Sequence, residues 1–538
     1  MNFPSKDASL GESIKKMTAV LEDVGCKILF SQEKHPLSNC FSINLSSLEA
    51  PQHIYSNGKG IVSDASKASA LGEYIERLQT NNFFIDFYLP KRNYFPDVEA
   101  FEFGGDYLND ELKAFYNPLD EVSDEDLVDF NSDHTDKIVA LPFVKESSKE
   151  TIYFPINILS NLYVSNGLAS GNSAGEAKVQ ALSEVFERYV KIEIIKHGYA
   201  LPSIPQNVLA PFKKLNEDIL ALRDLGYIVE VLDASLGGIF PVTAISLINP
   251  KTATLFVSFG AHPILQVSLE RTMSELMQGR DLESLDDFET PTFDMSVISD
   301  NLNLESHFID SNGKLGFSFL NARKNYDYSS WNYAGNGCDE EYIYLKNILK
   351  TLDKELYLRE YNYLDFYSCQ LIVPSLSEIY PIDDMVYNNK NTGKLIRDMI
   401  LNFKEYEAEE ILLHVESLGN EIDIQKYIGV IFEKNFSMAD FKAQIYLLAG
   451  DLEMVLETLQ FSEGRVEKVL CELIRLSEAE LIFEDYQEAL CNVFSKELVQ
   501  KALDILETKK YLIDTTFHAH YHNILELYDK LEVKKAFH

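Results

Sequence analysis

The sequence predicts an α+β fold with two pseudo-repeated halves, followed by an all-α, tetratricopeptide-like tail. Three observations predict it. A loop of small residues followed by a helix with glutamates in one column occurs twice, at 56–79 and 165–198. A helical pattern near 216–225 leads into three strand-like stretches instead of regular strand–helix alternation. Beyond about residue 390 the chain reads as helix after helix with short turns. The expected domains are therefore 1–390 and 391–538.

In chain order, residues 8–24 read as an amphipathic helix with Ile14, Met17, Leu21 and Val24 on one side, and Lys6 and Ser13 flank its start. Strand-like stretches at 27–31 and 40–44 precede a Ser56-Asn57-Gly58 loop. In the helix that follows, Ser69, Glu73 and Glu76 form one column opposite Leu71, Tyr74, Ile75 and Leu78. Residues 101–137 are polar and acidic and read as an exposed insertion or flexible loop. Stretches 138–144 and 151–159 have strand composition and lead to a second loop, Ser165-Asn166-Gly167. Its helix carries Gln180, Glu184 and Glu187 in a column opposite Leu182, Val185, Phe186 and Tyr189. Arg77 and Arg188 each follow the second glutamate, and Gly60 and Gly171 each stand thirteen residues before the first.

Strands are expected at 227–232, 242–247 and 255–259, then a helix opened by Gly260-Ala261-His262-Pro263 that carries Arg271 and Glu275. Alone, Arg271 and Glu275 read as an i, i+4 surface ion pair, and His262 as a structural hydrogen-bond partner. Residues 283–345 are acidic and aromatic and hold the only tryptophan, Trp331, which core or interface packing explains. A helix near 339–352 and a strand at 365–374 complete the domain. In the tail, 440–449 and 452–460 read as an antiparallel pair, with Gly450 closing the first helix and Asp451 capping the second. A further helix is expected at 478–494. A plain bundle is the alternative to tetratricopeptide-like pairing. Either version would serve as an interaction surface or dimer arm, and a homodimer is expected.

Composition narrows the function. An apolar share of 46% and a charged share of 25% are those of an ordinary soluble protein. A net charge of −37 argues against an electrostatic nucleic-acid binder and favours a basic protein or peptide partner. Six cysteines without a C-x-x-C read as buried thiols in a reducing compartment, with no zinc site. The opening MNFPSKDASLGES lacks a basic and an apolar leader region, and no run of ~18 apolar residues occurs. A cytoplasmic protein without a membrane anchor is expected.

Either glutamate helix alone reads as a solvated polar face. Two such columns facing one another would repel unless cations lay between them. Oxygen-only ligands suit magnesium bridging carboxylates to phosphate oxygens, and the small-residue loops offer backbone N–H groups to phosphate. No Walker loop, dinucleotide fingerprint, zinc-protease helix or nucleophile elbow is present. Nothing points to a Ser/His/Asp or Cys/His hydrolase.

The segments SALGEYIER and QALSEVFER, in this order, resemble the signature of the YcaO family. The Arg271-x-x-x-Glu275 pair, Lys6-Asp7-Ala8 with Ser13, and VPSLSEIYP at 373–381 are similar to further elements of that family, so the resemblance covers roughly 1–390. It implies ATP and Mg2+ bound without a Walker loop. By resemblance Glu73, Glu76, Glu184, Glu187 and Glu275 hold magnesium, while Lys6, Ser13, Ser69, Gln180 and Arg271 contact the nucleotide. Glu184, Glu275 and Arg271 would stand nearest the chemistry. The implied reaction phosphorylates a peptide amide oxygen and opens the carbon to a nucleophile, giving azolines, amidines or thioamides.

The chain departs from azoline-forming members: it ends Lys534-Lys535-Ala536-Phe537-His538 instead of in a proline-rich tail, and no peptide-binding domain is fused to it. It resembles the stand-alone members. That implies an accessory role, beside a radical methylthiotransferase, in β-methylthiolation of an aspartate in a ribosomal small-subunit protein. The alternatives are an ATP-binding scaffold that recruits the methylthiotransferase, or an azoline- or thioamide-forming enzyme of the cyclodehydratase type.

Overall fold

Leu10–Asp23 forms the first helix, its start closed by a capping box in which the Ser9 N–H donates to the Glu12 carboxylate at 3.1 Å. The structure, a computed structural model, describes residues 3–48, 54–309, 311, 313–460 and 462–537; His538 of the expected terminal pattern lies outside them. The fold is mixed α+β with a helical C-terminal region.

Among the described residues, three sheets carry the first part of the chain. Strands β1 (Ile28–Leu37), β2 (Cys40–Ser47) and β3 (Tyr55–Gly60) form an antiparallel meander. A second sheet runs β4 (Glu99–Glu102), β5 (Lys137–Lys145), β11 (Tyr357–Tyr361), β12 (Tyr367–Ile372), β7 (Leu168–Gly171), with β6 (Thr151–Pro155) paired to β5. The third is the meander of β8 (Ile228–Asp233), β9 (Val242–Asn249) and β10 (Thr254–Ala261).

Four expectations are corrected. Ser56-Asn57-Gly58 is not a loop: it lies within β3, paired with Leu45, Asn44 and Ile43 of β2. Gly58 serves close packing instead of a turn, since a Cβ there would stand 1.8 Å from the Ser66 carbonyl oxygen of the next helix. The strand expected at 151–159 stops at Pro155, where a residue without an N–H ends the ladder, and Ile156–Ile158 turns helical. The segment 101–137 is only partly exposed. Val128, Asp129, Phe130 and Asn131 are buried, and the Asn131 amide donates to the Phe84 and Phe87 carbonyls at 2.8 and 2.6 Å. The helix expected at 478–494 is Phe483–Phe494, because Glu478 ends the preceding helix, Arg465–Glu478.

The two glutamate helices, Ser63–Gln79 and Ala174–His197, share a local joint. Gly60 and Gly171 each end a strand three residues before the helix starts. The two strands belong to different sheets. Another arrangement recurs as well: a helix, an antiparallel three-strand meander and a second helix, from Leu10–Asp23 to Ser63–Gln79 and from Lys213–Asp224 to Leu265–Met277. In each, a strand glycine (Gly58, Gly260) presses on the carbonyl of a serine eight residues on (Ser66, Ser268). Glu73 and Glu275 both fall fifteen residues after that glycine.

The C-terminal helices are joined as the turn chemistry requires. Met438–Ala449 ends on Gly450 at φ 76°, and Asp451 accepts the Met454 N–H at the start of Leu452–Leu459. The first tail helix, Asn391–Leu401, is bolted to the 101–137 segment. Lys394 donates to the Asp129 and Ser132 carbonyls at 2.7 and 2.6 Å, and Arg397 to the Phe130 carbonyl at 2.8 Å. The last helix, Ala519–Lys535, returns to the core of the first part, where Ile524, Tyr528 and Leu531 are buried.

One motif residue yields a pH prediction. Glu378 accepts the Tyr163 hydroxyl at 3.1 Å, and burial pushes its carboxyl up from 4.5 to about 7. Between those values the folded chain holds a proton that the unfolded chain has lost, so this group costs stability as pH rises through the window. Glu378→Gln is expected to raise the thermal midpoint at pH 8 and to change it little at pH 4, read by scanning calorimetry. An equal shift at both pH values would show that the charge is not the cause.

Candidate nucleotide and metal site

The joints between strands and helices enclose a cavity of about 630 Å³, and every expected site residue lines it. Ser69, Glu73 and Glu76 come from Ser63–Gln79; Gln180, Glu184 and Glu187 from Ala174–His197. Arg271 and Glu275 come from Leu265–Met277, Ser13 from Leu10–Asp23, and Lys6 from the segment ahead of it. Both columns face inward because the opposite sides of their helices, including Leu71, Tyr74, Ile75, Leu182, Val185 and Phe186, are fully buried.

The cations expected between the columns are in part the protein's own side chains. Arg77 lies 3.6 Å from Glu73 and 3.7 Å from Glu76, and Arg188 lies 3.2 Å from Glu184. Arg271 and Glu275 do not pair with each other. Arg271 donates to the Gln180 side-chain oxygen and lies 3.5 Å from Glu187, while Glu275 pairs with Lys59 of β3. The Ala261 N–H at the end of β10 also donates to Glu187 at 3.1 Å. Among the described residues, no three Asp, Glu, His or Cys side chains are gathered as a ready metal-holding group.

Elsewhere on the lining, Lys6 pairs with Glu176 at 2.9 Å, and Ser13 donates to the Asn172 side-chain oxygen at 3.0 Å. His262 is a structural partner as expected. Its Nδ1 accepts the Ile264 N–H at 3.0 Å, and its Nε2 lies 3.0 Å from the Ser5 hydroxyl. Lys59, Glu176 and Asn172 were missed in the sequence. The signal for Lys59 was present, a lysine set between two glycines of Ser56-Asn57-Gly58-Lys59-Gly60.

The electrostatics fit a cationic ligand. Burial pushes the Glu76 carboxyl up to about 8, opposed by Arg77 and reinforced by Glu184 and Glu73. Glu73, whose side chain is 34% open, is raised for the same chief reason, opposed by Arg77 and Lys59. An incoming divalent ion would relieve both, and the available carboxylate, hydroxyl and amide oxygens are the donors Mg2+ prefers. Arg271 keeps a buried Nε–H without an acceptor, a donor left for an anionic group.

Comparison with known proteins identifies a family. The family model described as YcaO cyclodehydratase, ATP- and Mg2+-binding, matches residues 57–377. The chain belongs to the YcaO family. ATP and Mg2+ are the cofactors that the family description carries. Among YcaO relatives, the ribosomal protein S12 methylthiotransferase accessory factor YcaO of Escherichia coli K12 is 36% identical over 99% of this chain and 98% of its own length. An uncharacterized protein of Haemophilus influenzae Rd is 40% identical over 84% of this chain and 81% of its own. Among solved structures, YcaO from Methanopyrus kandleri bound with AMPPCP and Mg2+ aligns at TM-score 0.45 and 15% identity, covering 72% of this chain and 96% of that one. No described helix is long and apolar enough to cross a membrane.

Proposed function

We propose that this chain is an ATP- and Mg2+-dependent enzyme that activates a peptide or protein backbone amide, as an accessory factor in β-methylthiolation of a ribosomal small-subunit protein. The observation that carries the reading is the single cavity shared by all ten expected residues. The name of the Escherichia coli relative supports the biological setting. When bound, ATP with Mg2+ supplies the phosphoryl group and the charge that make an amide oxygen a leaving group.

The chain's own residues bind and orient. Glu73, Glu76, Glu184, Glu187 and Glu275 hold the metal side. Lys6, Ser13, Ser69 and Gln180 hold the nucleotide, and Arg271 offers its free Nε–H to developing negative charge. Glu176 and Asn172 position Lys6 and Ser13. We read the glutamate helices as related halves, and 391–538 as a tetratricopeptide-like interaction region for a basic protein partner, the methylthiotransferase, or a second copy in a homodimer. A cytoplasmic setting belongs to the same reading.

The purified full chain is expected to hydrolyse ATP only with Mg2+, and product analysis would show whether ADP or AMP leaves. Absence of turnover with Mg2+ and the partner proteins would remove the enzymatic reading. The words "accessory factor" in the relative's name favour a second reading, an ATP-binding scaffold that recruits the true enzyme. Substrate-dependent ATP turnover in the presence of both partners separates the two.

A further inference from the structure

We propose that Lys59 is a built-in counter-cation that holds Glu275 until a divalent ion takes its place, which couples metal entry to binding of a polyphosphate. This rests on the reading of Glu275 as a metal ligand. Lys59 sits on β3 between Gly58 and Gly60, at both of which a Cβ would collide with Ser63–Gln79. The strand is thereby pressed onto that helix, and the lysine pairs with a carboxylate of a different helix, Leu265–Met277, which also packs against β3.

The other cations of the cavity have partners of their own, Lys6 pairing with Glu176 at 2.9 Å and Lys191 donating to the His307 carbonyl at 2.7 Å. Arg77 and Arg188 pair with glutamates one turn away on their own helices. Arg271 is held by Gln180 and Glu187 from the facing helix. Lys59 is a point charge on a flexible stem. About a quarter of its side chain (27%) and a third of that of Glu275 (36%) remain open, so there is room for it to leave. Glu187, Glu73 and Glu184 attract its ammonium as well, while Arg271 repels it.

An ammonium and a divalent ion repel, so they will not share one carboxylate at contact distance. Metal binding at Glu275 therefore displaces Lys59. The freed ammonium remains near Arg271, whose repulsion drops once an anion lies between them. Metal alone then competes with Lys59, and metal with a polyphosphate does not. By linkage, each favours the other.

The test titrates Mn2+ into the full chain without nucleotide, read by the electron paramagnetic resonance of free Mn2+. Wild type, Lys59→Met and Glu275→Gln are compared, with and without inorganic tripolyphosphate. Lys59→Met is expected to bind Mn2+ alone about fivefold tighter than wild type, the scale of losing one competing ion pair. It should also gain less from tripolyphosphate than wild type does. If Glu275→Gln loses Mn2+ affinity while Lys59→Met matches wild type, the Lys59 proposal fails and the metal site stands. If Glu275→Gln binds Mn2+ like wild type, Glu275 is no ligand and both fall. Should Lys59→Met not fold, amine acylation of the wild-type chain followed by mass spectrometry serves instead. Mn2+ is expected to raise labelling of Lys59, and unchanged labelling overturns the proposal.

Discussion

Glu184→Gln is expected to lower Mg2+-dependent ATP turnover by about two to three orders of magnitude, the scale of removing one preorganised electrostatic contact at a reacting group. Its thermal midpoint without cofactors should stay level or rise slightly. Gln keeps the length and the helix propensity of Glu. What folding loses is the partly exposed pair with Arg188 at 3.2 Å, worth a few tenths of a kcal/mol at such a site. What it gains is relief of repulsion, since the Glu184 charge bears on both Glu73 and Glu76. ATP hydrolysis and ATP-induced thermal shift across a magnesium titration would read both quantities. Wild-type turnover by the variant at low magnesium would make Glu184 a surface residue that merely faces the cavity.

The columns were legible because an α-helix repeats its faces every 3.6 residues, so Glu73 with Glu76 and Glu184 with Glu187 declared themselves together with the apolar sides opposite. The direction that each column faces followed from the same pattern. Which side chain neutralises which carboxylate did not. Lys59 and Glu275 are 216 positions apart and meet only because β3 and Leu265–Met277 pack against one another beside the cavity. The Ser56-Asn57-Gly58 error has a similar root. Glycine between small polar residues signals a turn in most sequences, yet here the packing of Ser66 against Gly58 requires the missing Cβ inside a strand. The acidity of 101–137 hid its buried end for a third reason. The buried Asp129 carboxylate accepts from the Ser132 N–H and hydroxyl at 2.7 and 2.8 Å, but the Asn131 amide needs the Phe84 and Phe87 carbonyls, and the Asp129 carbonyl takes its donor from Lys394, far along the chain.

Deleting the last helix, by ending the chain at residue 518, is expected to unfold the protein and not simply to remove an interaction arm. Tyr521, Ile524, Tyr528 and Leu531 are at most 1% exposed, and Ile524, Tyr528 and Leu531 belong to the core that also holds Leu71, Tyr74 and Phe84 near the site. The Tyr528 ring meets Phe84 edge-on at 5.0 Å, and its hydroxyl donates to the Asn93 carbonyl. Lys535 is buried, donating to the Asn81 side-chain oxygen at 2.9 Å and to the Tyr94 carbonyl at 2.7 Å, so its removal takes the donor from the buried Asn81 oxygen, while the Tyr94 carbonyl keeps the Asn81 amide at 2.8 Å. Loss of one large buried aromatic costs ~3–5 kcal/mol, against a typical folding stability of ~5–15 kcal/mol. Tyr528→Ala alone should therefore lower the thermal midpoint strongly, while Tyr528→Phe, which keeps the ring, should cost about 1 kcal/mol. A fragment ending at 390 is expected to fail in the same way, losing ATP binding through unfolding of the body that holds the cavity. Circular dichroism, limited proteolysis and ATP-induced thermal shift of the 1–518 and 1–390 chains would decide it. A cooperative, wild-type-like transition in the 1–518 chain would mean that the helix is only laid against the core, and that the tail can be separated from the site.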